Sequence, residues 1–195
     1  MTSSPGGVLS LETTLKAILP EGKFAGPPPP VERWNPEASA DIGMEIRADG
    51  SWWHDGAPIR RERLVRLFSR ILRKDADGTV WLVTPHEKVI VHVEDAPFHA
   101  VRVDREGAPG EGQALRFTTN LGDVTVAGPD APLRVETDAE TGEPAPYILV
   151  RGRLEAKLTR PVFYELVEMA VAAPGNPDVL GVWSGGLFFP LGPAA

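Results

Sequence analysis

The 195-residue chain contains no cysteine. That excludes disulfides, thiolate metal sites and thiol nucleophiles, and it suits a reducing compartment; a cytoplasmic location is the expectation. No apolar run approaches the ~20 residues needed to span a bilayer as a helix. The opening Met1-Thr2-Ser3-Ser4-Pro5 lacks a basic stretch followed by an apolar run, so no leader is expected. Phosphate loops of the GxxxxGK[ST] kind and GxGxxG fingerprints are absent, and none of the four histidines sits in HExxH. No metal or cofactor is expected. Positive charge is scarce: the formal charge is −7. Duplex binding needs a broad cationic face, so no duplex nucleic acid partner is expected.

Glycine and proline are abundant, at 20 each, and read as many turns. Residues 8–19 carry Leu11, Leu15, Ile18 and Leu19 at helical spacing. Pro27 to Pro30 favours extended polyproline geometry and makes 20–32 a stiff strap. Alternation and turn residues then predict strands at 44–47, 51–54, 79–84, 88–93, 98–103, 114–119, 123–127, 133–136, 147–150, 179–183 and 187–191. Helices are predicted at Arg60–Lys74, where Leu64, Leu67, Phe68 and Ile71 form one stripe, and at Pro161–Ala172, with proline in the first turn.

Two internal echoes follow. Residues 81–98 slide onto 116–133 with six identities in 18 positions, including Asp95-Ala96-Pro97 on Asp130-Ala131-Pro132. The order hairpin, helix, hairpin occurs at 44–93 and again at 147–191. They predict an α+β protein of two related halves. Its parts are an N-terminal helix and strap (1–40), an N-terminal domain (41–108) and a C-terminal domain (109–195), with the boundary in the Gly-rich 105–112.

Near the C-terminus stands Gly181-Val182-Trp183-Ser184-Gly185-Gly186. A nucleophile elbow needs glycine two before the serine, where Val182 stands, so a serine nucleophile is disfavoured. Two readings remain: a hairpin turn in which Gly185 and Gly186 supply positive φ, or glycines that let a ligand approach the backbone beside Trp183. Arg60–Lys74 holds seven of the 20 basic residues and one acid, Glu62. It reads as a solvated face paired with the acidic loop 136–143, or as a site for a phosphorylated ligand or an acidic protein partner. Arg151, Arg153, Lys157 and Arg160 form a second basic group. Five tryptophans accompany this charge; they read as core, or as faces on which a base stacks.

Several stretches resemble one bacterial family. "WNPE" at 34–37, "MEIRADGSWWHDGAPIRRERLVRLFSRIL" at 44–72, "LVTPHEKVIVHVEDAPF" at 82–98, "LRFTTNLGDV" at 115–124, "LVRGRLEAKLTRPVFYELVE" at 149–168 and "GVWSGGLFFPLG" at 181–192 look like domain of unknown function 1285. The chain departs from the family pattern after Trp34-Asn35-Pro36, where Glu37-Ala38-Ser39 stand in place of a proline, an aromatic and a cysteine. The resemblance implies a duplicated core, a C-terminal half like a pleckstrin-homology barrel capped by a helix, and a site between the halves for a nucleotide-like molecule in signal transduction. It implies no catalytic activity.

The leading expectation is therefore non-enzymatic binding of a small, phosphorylated, nucleotide-like ligand at the interface of the two halves. Arg60, Lys88, Arg151 and Arg153 would meet phosphate, Trp34 or Trp183 would stack on a base, and Asn35 or Asn120 would read its edge. Ser184 and Gly185 would offer backbone N–H groups. The alternative is an adaptor that docks an acidic protein on the basic helix 60–74.

Overall fold

The computed structural model describes residues 28–137 and 141–194. The expected helix at 8–19 and most of the strap lie outside them. The chain divides into two compact units, Met1–Asp95 and Ala96–Ala195.

In the first unit a 3-10 turn (Val31–Arg33) precedes β1 (Ala38–Ile46), β2 (Trp52–His54), β3 (Ala57–Pro58), α1 (Glu62–Ser69), β4 (Leu72–Lys74), β5 (Val80–Val83) and β6 (Glu87–Val93). The six strands form one sheet in the order β3-β2-β1-β6-β5-β4. It consists of two antiparallel meanders joined where β1 runs parallel to β6. The turn residues do what their chemistry predicts. Gly50 and Gly78 take positive φ between paired strands, and Asp49 and Asp77 accept the N–H groups of Ser51 and Thr79. A bulge interrupts β1 between Ala40 and Met44, where Gly43 has φ +69° and Asp41 Oδ1 accepts its N–H. One face of the sheet and the α1 stripe bury Met44, Ile46, Trp52, Leu67, Phe68, Leu82, Val89 and Val91; the Trp52 and Phe68 rings stack at 6.3 Å.

The helix predicted over 60–74 ends at Ser69. Arg70 N–H turns back to Leu67 O and Ile71 N–H to Phe68 O, and Leu72–Lys74 becomes β4, pairing Leu72 with Leu82. Ile71 and Leu72 are buried either way. Pairing with β5 satisfies their backbone groups as fully as another helical turn would, so the neighbouring strand decides between the two periods.

The second unit contains β7 (Phe98–Glu106), β8 (Ala114–Thr119), β9 (Val124–Val126), β10 (Leu133–Thr137), β11 (Pro144–Arg151), β12 (Leu154–Leu158), α2 (Arg160–Glu168), β13 (Val171–Ala173), β14 (Asn176–Ser184) and β15 (Leu187–Pro193). Its six-stranded sheet runs β10-β11-β12-β7-β8-β9, and here too two antiparallel meanders meet at a parallel pair, β12 with β7. The sheet curls: Thr125 on β9 donates to the Leu149 carbonyl on β11, and Leu149 N–H donates to Pro132 O. β13, β14 and β15 form a separate antiparallel sheet. Helix α2 buries Val162 and Leu166 and ends at Glu168, so the C-terminal part of the predicted 161–172 helix becomes β13, paired with β14.

The fold is thus mostly β, with two α-helices among the described residues. Two units fit the expectation of two parts. The Gly-rich 105–112 forms the connection between paired β7 and β8, and the division falls at Asp95/Ala96 instead. A β-hairpin keeps its strands in one unit by hydrogen bonding, whatever the composition of its loop. The first copy of the 18-residue echo, 81–98, therefore straddles the division. In the second echo, the strands flanking α1 share one sheet, whereas those flanking α2 belong to two.

Candidate functional site

The Ser184-Gly185-Gly186 turn is a two-residue hairpin connection between β14 and β15. Ser184 pairs with Leu187, and both glycines have positive φ, +58° and +77°. Ser184 is fully buried. Its Oγ accepts the Leu115 N–H at 2.9 Å and donates to the Ala127 carbonyl at 2.7 Å. Gly185 N–H donates to Gln113 O, and Gln113 Nε2 donates to Trp183 O at 2.8 Å. The Gly185 N–H, expected to face a ligand, and the Ser184 hydroxyl are both committed to binding this hairpin onto the β8–β9 end of the curled sheet. The sequence leaves this unstated because both partners of Ser184 are backbone atoms more than 50 residues away.

Of the other singled-out residues in the second unit, Asn120 has a structural partner. Its Oδ1 accepts the His99 N–H and its own N–H donates to His99 O, extending the β7–β8 ladder. Arg151 is half-buried; its Nη1 lies 2.6 Å from Asp123 Oδ1 and its guanidinium 5.0 Å from the Phe98 ring centroid. Arg153 is exposed in the tight β11–β12 turn. Trp183 is half-buried and meets Phe188 edge to face at 5.5 Å.

In the first unit, Trp34 is half-buried and Asn35 exposed just after the 3-10 turn. Lys88 Nζ stands 4.2 Å from the Trp81 ring centroid. Arg60 is exposed ahead of α1. The seven basic residues of 60–74 separate. Arg73 is 6% exposed and bonds to Asp75 and two carbonyls, whereas Arg60, Arg63 and Arg66 are exposed with no ionic partner among the described residues. Glu136 and Glu143 at the ends of the acidic loop pair with Arg134 and Arg160.

One concave site within the second unit brings cations and aromatic rings together. A groove of about 520 Å³ lies between the β11 and β12 segments and α2. Its walls include Lys157, Arg160, Phe163, Tyr164, Glu143 and Pro146. Such a volume falls within the roughly 300–1,000 Å³ of small-molecule sites. Alternation on β12 buries Leu154, Ala156 and Leu158 and leaves Lys157 on the other face. Arg160, at the start of α2, lies 2.8 Å from Glu143 Oε2. Tyr164, one turn on, is 62% exposed. A second cavity of about 280 Å³ shares Pro144 and Phe163 with the groove and is walled by Val135, Val167, Leu180 and Leu191. Strand β12 was not among the predicted strands, although Leu154-Glu155-Ala156-Lys157-Leu158 carries the alternation that marks one.

No group of histidines and carboxylates among the described residues could hold a metal ion, and no described helix is long and apolar enough to cross a membrane.

The chain has clear relatives. Residues 29–96 match the family model described as "Domain of unknown function (DUF1285), N-terminal domain", and residues 97–191 match "Protein of unknown function (DUF1285), C-terminal domain". Among solved structures it is similar to a DUF1285 family protein from Silicibacter pomeroyi DSS-3, with 46% identity over 87% of this chain and 90% of that one, and a TM-score of 0.80. A DUF1285 family protein from Shewanella baltica OS155 is 26% identical over 66% of this chain and 92% of that one, with a TM-score of 0.50. No curated protein matches the chain.

Proposed function

The chain belongs to the DUF1285 family in both of its domains, and from that premise we propose that it binds a small, phosphorylated, nucleotide-like ligand without chemical turnover. The observation that carries this reading is the groove of the second unit, where Lys157 and Arg160 share a wall with Phe163 and Tyr164. The two cations offer charge-assisted hydrogen bonds to phosphate, and the planar Arg160 guanidinium can do so bidentately. Glu143 is its present partner. A phosphate of higher charge competes for the same fork, and the exposed pair it displaces is worth at most about 1 kcal/mol. The Tyr164 ring is open for stacking, a contact worth roughly 1–3 kcal/mol for a base. Arg153 and Trp183 of this unit remain further contacts that the sequence proposes. Service in second-messenger signalling and a pleckstrin-homology-like, duplicated ancestry belong to the same reading; the matching strand orders of the two six-stranded sheets support the duplication.

The test is a thermal-shift panel at low salt with cyclic dinucleotides, cyclic mononucleotides, guanosine tetraphosphate and NAD. Ligand at about 100 times its dissociation constant stabilises a binder by roughly 2.7 kcal/mol. A selective shift that is lost in Lys157→Ala and Arg160→Ala supports the groove. A selective shift that survives both moves the ligand elsewhere, and a flat panel overturns the reading.

A further inference from the structure

Most arginines outside residues 60–74 sit against carboxylates, and Arg33, Arg105 and Arg153, which have none among the described residues, are exposed one at a time. Arg102 meets Asp104, Arg116 meets Glu106, Arg134 meets Glu155, Arg151 meets Asp123 and Arg160 meets Glu143. With 27 acidic residues against 20 basic ones, partners are plentiful. Arg60, Arg63 and Arg66 are unpaired as a cluster. They lie within seven residues, are exposed, and have no ionic partner among the described residues. Glu62 stands four residues before Arg66 on α1, in the favoured i,i+4 order, yet makes no ion pair with it. Arg63 and Arg66 are one helical turn apart on α1, and Arg60 precedes them in its lead-in. Inside the same stretch the fold has already removed Arg73 from the surface. Three adjacent forks are left open on a chain whose net charge is −7.

We propose that Arg60, Arg63 and Arg66 form a docking surface for an acidic segment of a partner protein. Charge complementarity commits the occupant to be anionic, and two observations narrow its class. The exposed large apolar residues of the described chain are Val101, Val124, Val126, Tyr164, Val167, Val171 and Leu187, all in the second unit. The arginine surface therefore carries no apolar anchor of the kind that an interfacial helix inserts into lipid. Three cations on a chain of net −7 also make a poor platform for a duplex, whose affinity comes from neutralising many phosphates at once. A short run of Asp and Glu needs neither. Its carboxylates match the guanidinium forks pairwise, and its small total charge limits repulsion from the rest of the chain. This surface lies in the first unit and is independent of the groove proposed above.

The experiment measures fluorescence anisotropy of a labelled poly-glutamate peptide titrated with the full chain, at low salt and at about 0.15 M ionic strength. The wild-type chain binds at low salt and weakens as salt rises. The Arg60→Ala/Arg63→Ala/Arg66→Ala variant loses about tenfold or more in affinity, as three exposed charge pairs together can supply. A control variant, Arg33→Ala/Arg102→Ala/Arg105→Ala, removes the same charge from exposed arginines elsewhere and keeps the wild-type affinity. Equal loss in both variants, or no peptide binding by the wild-type chain, overturns the proposal. Co-sedimentation with phosphatidylserine-containing vesicles that disappears in the first variant, without peptide binding, assigns the surface to a membrane and also overturns it. All six positions are exposed, so matching circular dichroism spectra and melting curves confirm that the variants fold.

Discussion

Arg73 Nη1 donates to the carbonyl oxygen of Trp34 at 2.6 Å. The same nitrogen reaches Val31 O at 3.0 Å, and Nε reaches Asp75 Oδ1 at 2.7 Å. A residue that the sequence assigns to a solvated basic face is instead the buried fastener of the 3-10 turn that presents Trp34 and Asn35. Arg73→Ala strips two carbonyls and a carboxylate of their donor. The expected loss of stability is about 2–3 kcal/mol, because the two carbonyls lose a charged donor while the partly exposed Asp75 is rehydrated. Urea unfolding measures it. Arg73→Lys restores little, because a point ammonium cannot span acceptors that a planar fork holds together.

Ser184→Ala leaves the Leu115 N–H and the Ala127 carbonyl without partners in a fully buried place. Each unmade bond costs roughly 1–3 kcal/mol, so the melting midpoint should fall by several degrees. Ligand binding by the refolded variant should be unchanged once stability is accounted for, since the hydroxyl serves the fold. A variant with wild-type stability and lost ligand response would return Ser184 to the site.

Gly181 has no room for a side chain. A Cβ there would overlap the Phe189 carbonyl oxygen and lie 2.6 Å from Phe188 Cζ. Gly181→Ala should cost about 1–3 kcal/mol through forced displacement of β15. Gly186→Ala meets nothing within 4 Å, but its φ of +77° disfavours any side chain, so the expected loss there is smaller, about 1 kcal/mol. Paired thermal melts rank the two.

Acid should weaken the fold through identified carboxylates. The Gly43 N–H, and then the His92 ring, hold Asp41 below the ordinary Asp value of 3.8. Ser51 does the same for Asp49 and Thr79 for Asp77, and Arg116 lowers Glu106 from 4.5. A carboxylate depressed in the folded state contributes fully above its unfolded value. That contribution is lost as pH falls through the folded one. Melting midpoints should therefore be flat down to about pH 5 and fall below it. Asp41→Asn combined with Asp49→Asn and Asp77→Asn should make the fall shallower; an unchanged slope would show that other groups carry it.

What the sequence determined by itself is local. The apolar run Val80–Val83, the alternation in Glu87–Val93, the Asp-Gly turns, and Pro161 in the first turn of α2 are each written within a few residues, because strand pleat, turn φ and proline geometry are short-range constraints. The Ser184-Gly185-Gly186 turn was legible for the same reason, as one of its two readings. Tertiary structure decided what depends on distant partners. Leu72–Lys74 became a strand because β5 offered it a ladder. β12, whose own alternation went unread, became the strand that joins the two meanders of its sheet through β7. Arg73 and Ser184 went inside because backbone acceptors and donors from other segments were there to satisfy them. The same balance sorted the basic residues: burial is open to a charged fork only where its bonds can be completed, so Arg73 was taken in and Arg60, Arg63 and Arg66 stayed at the surface.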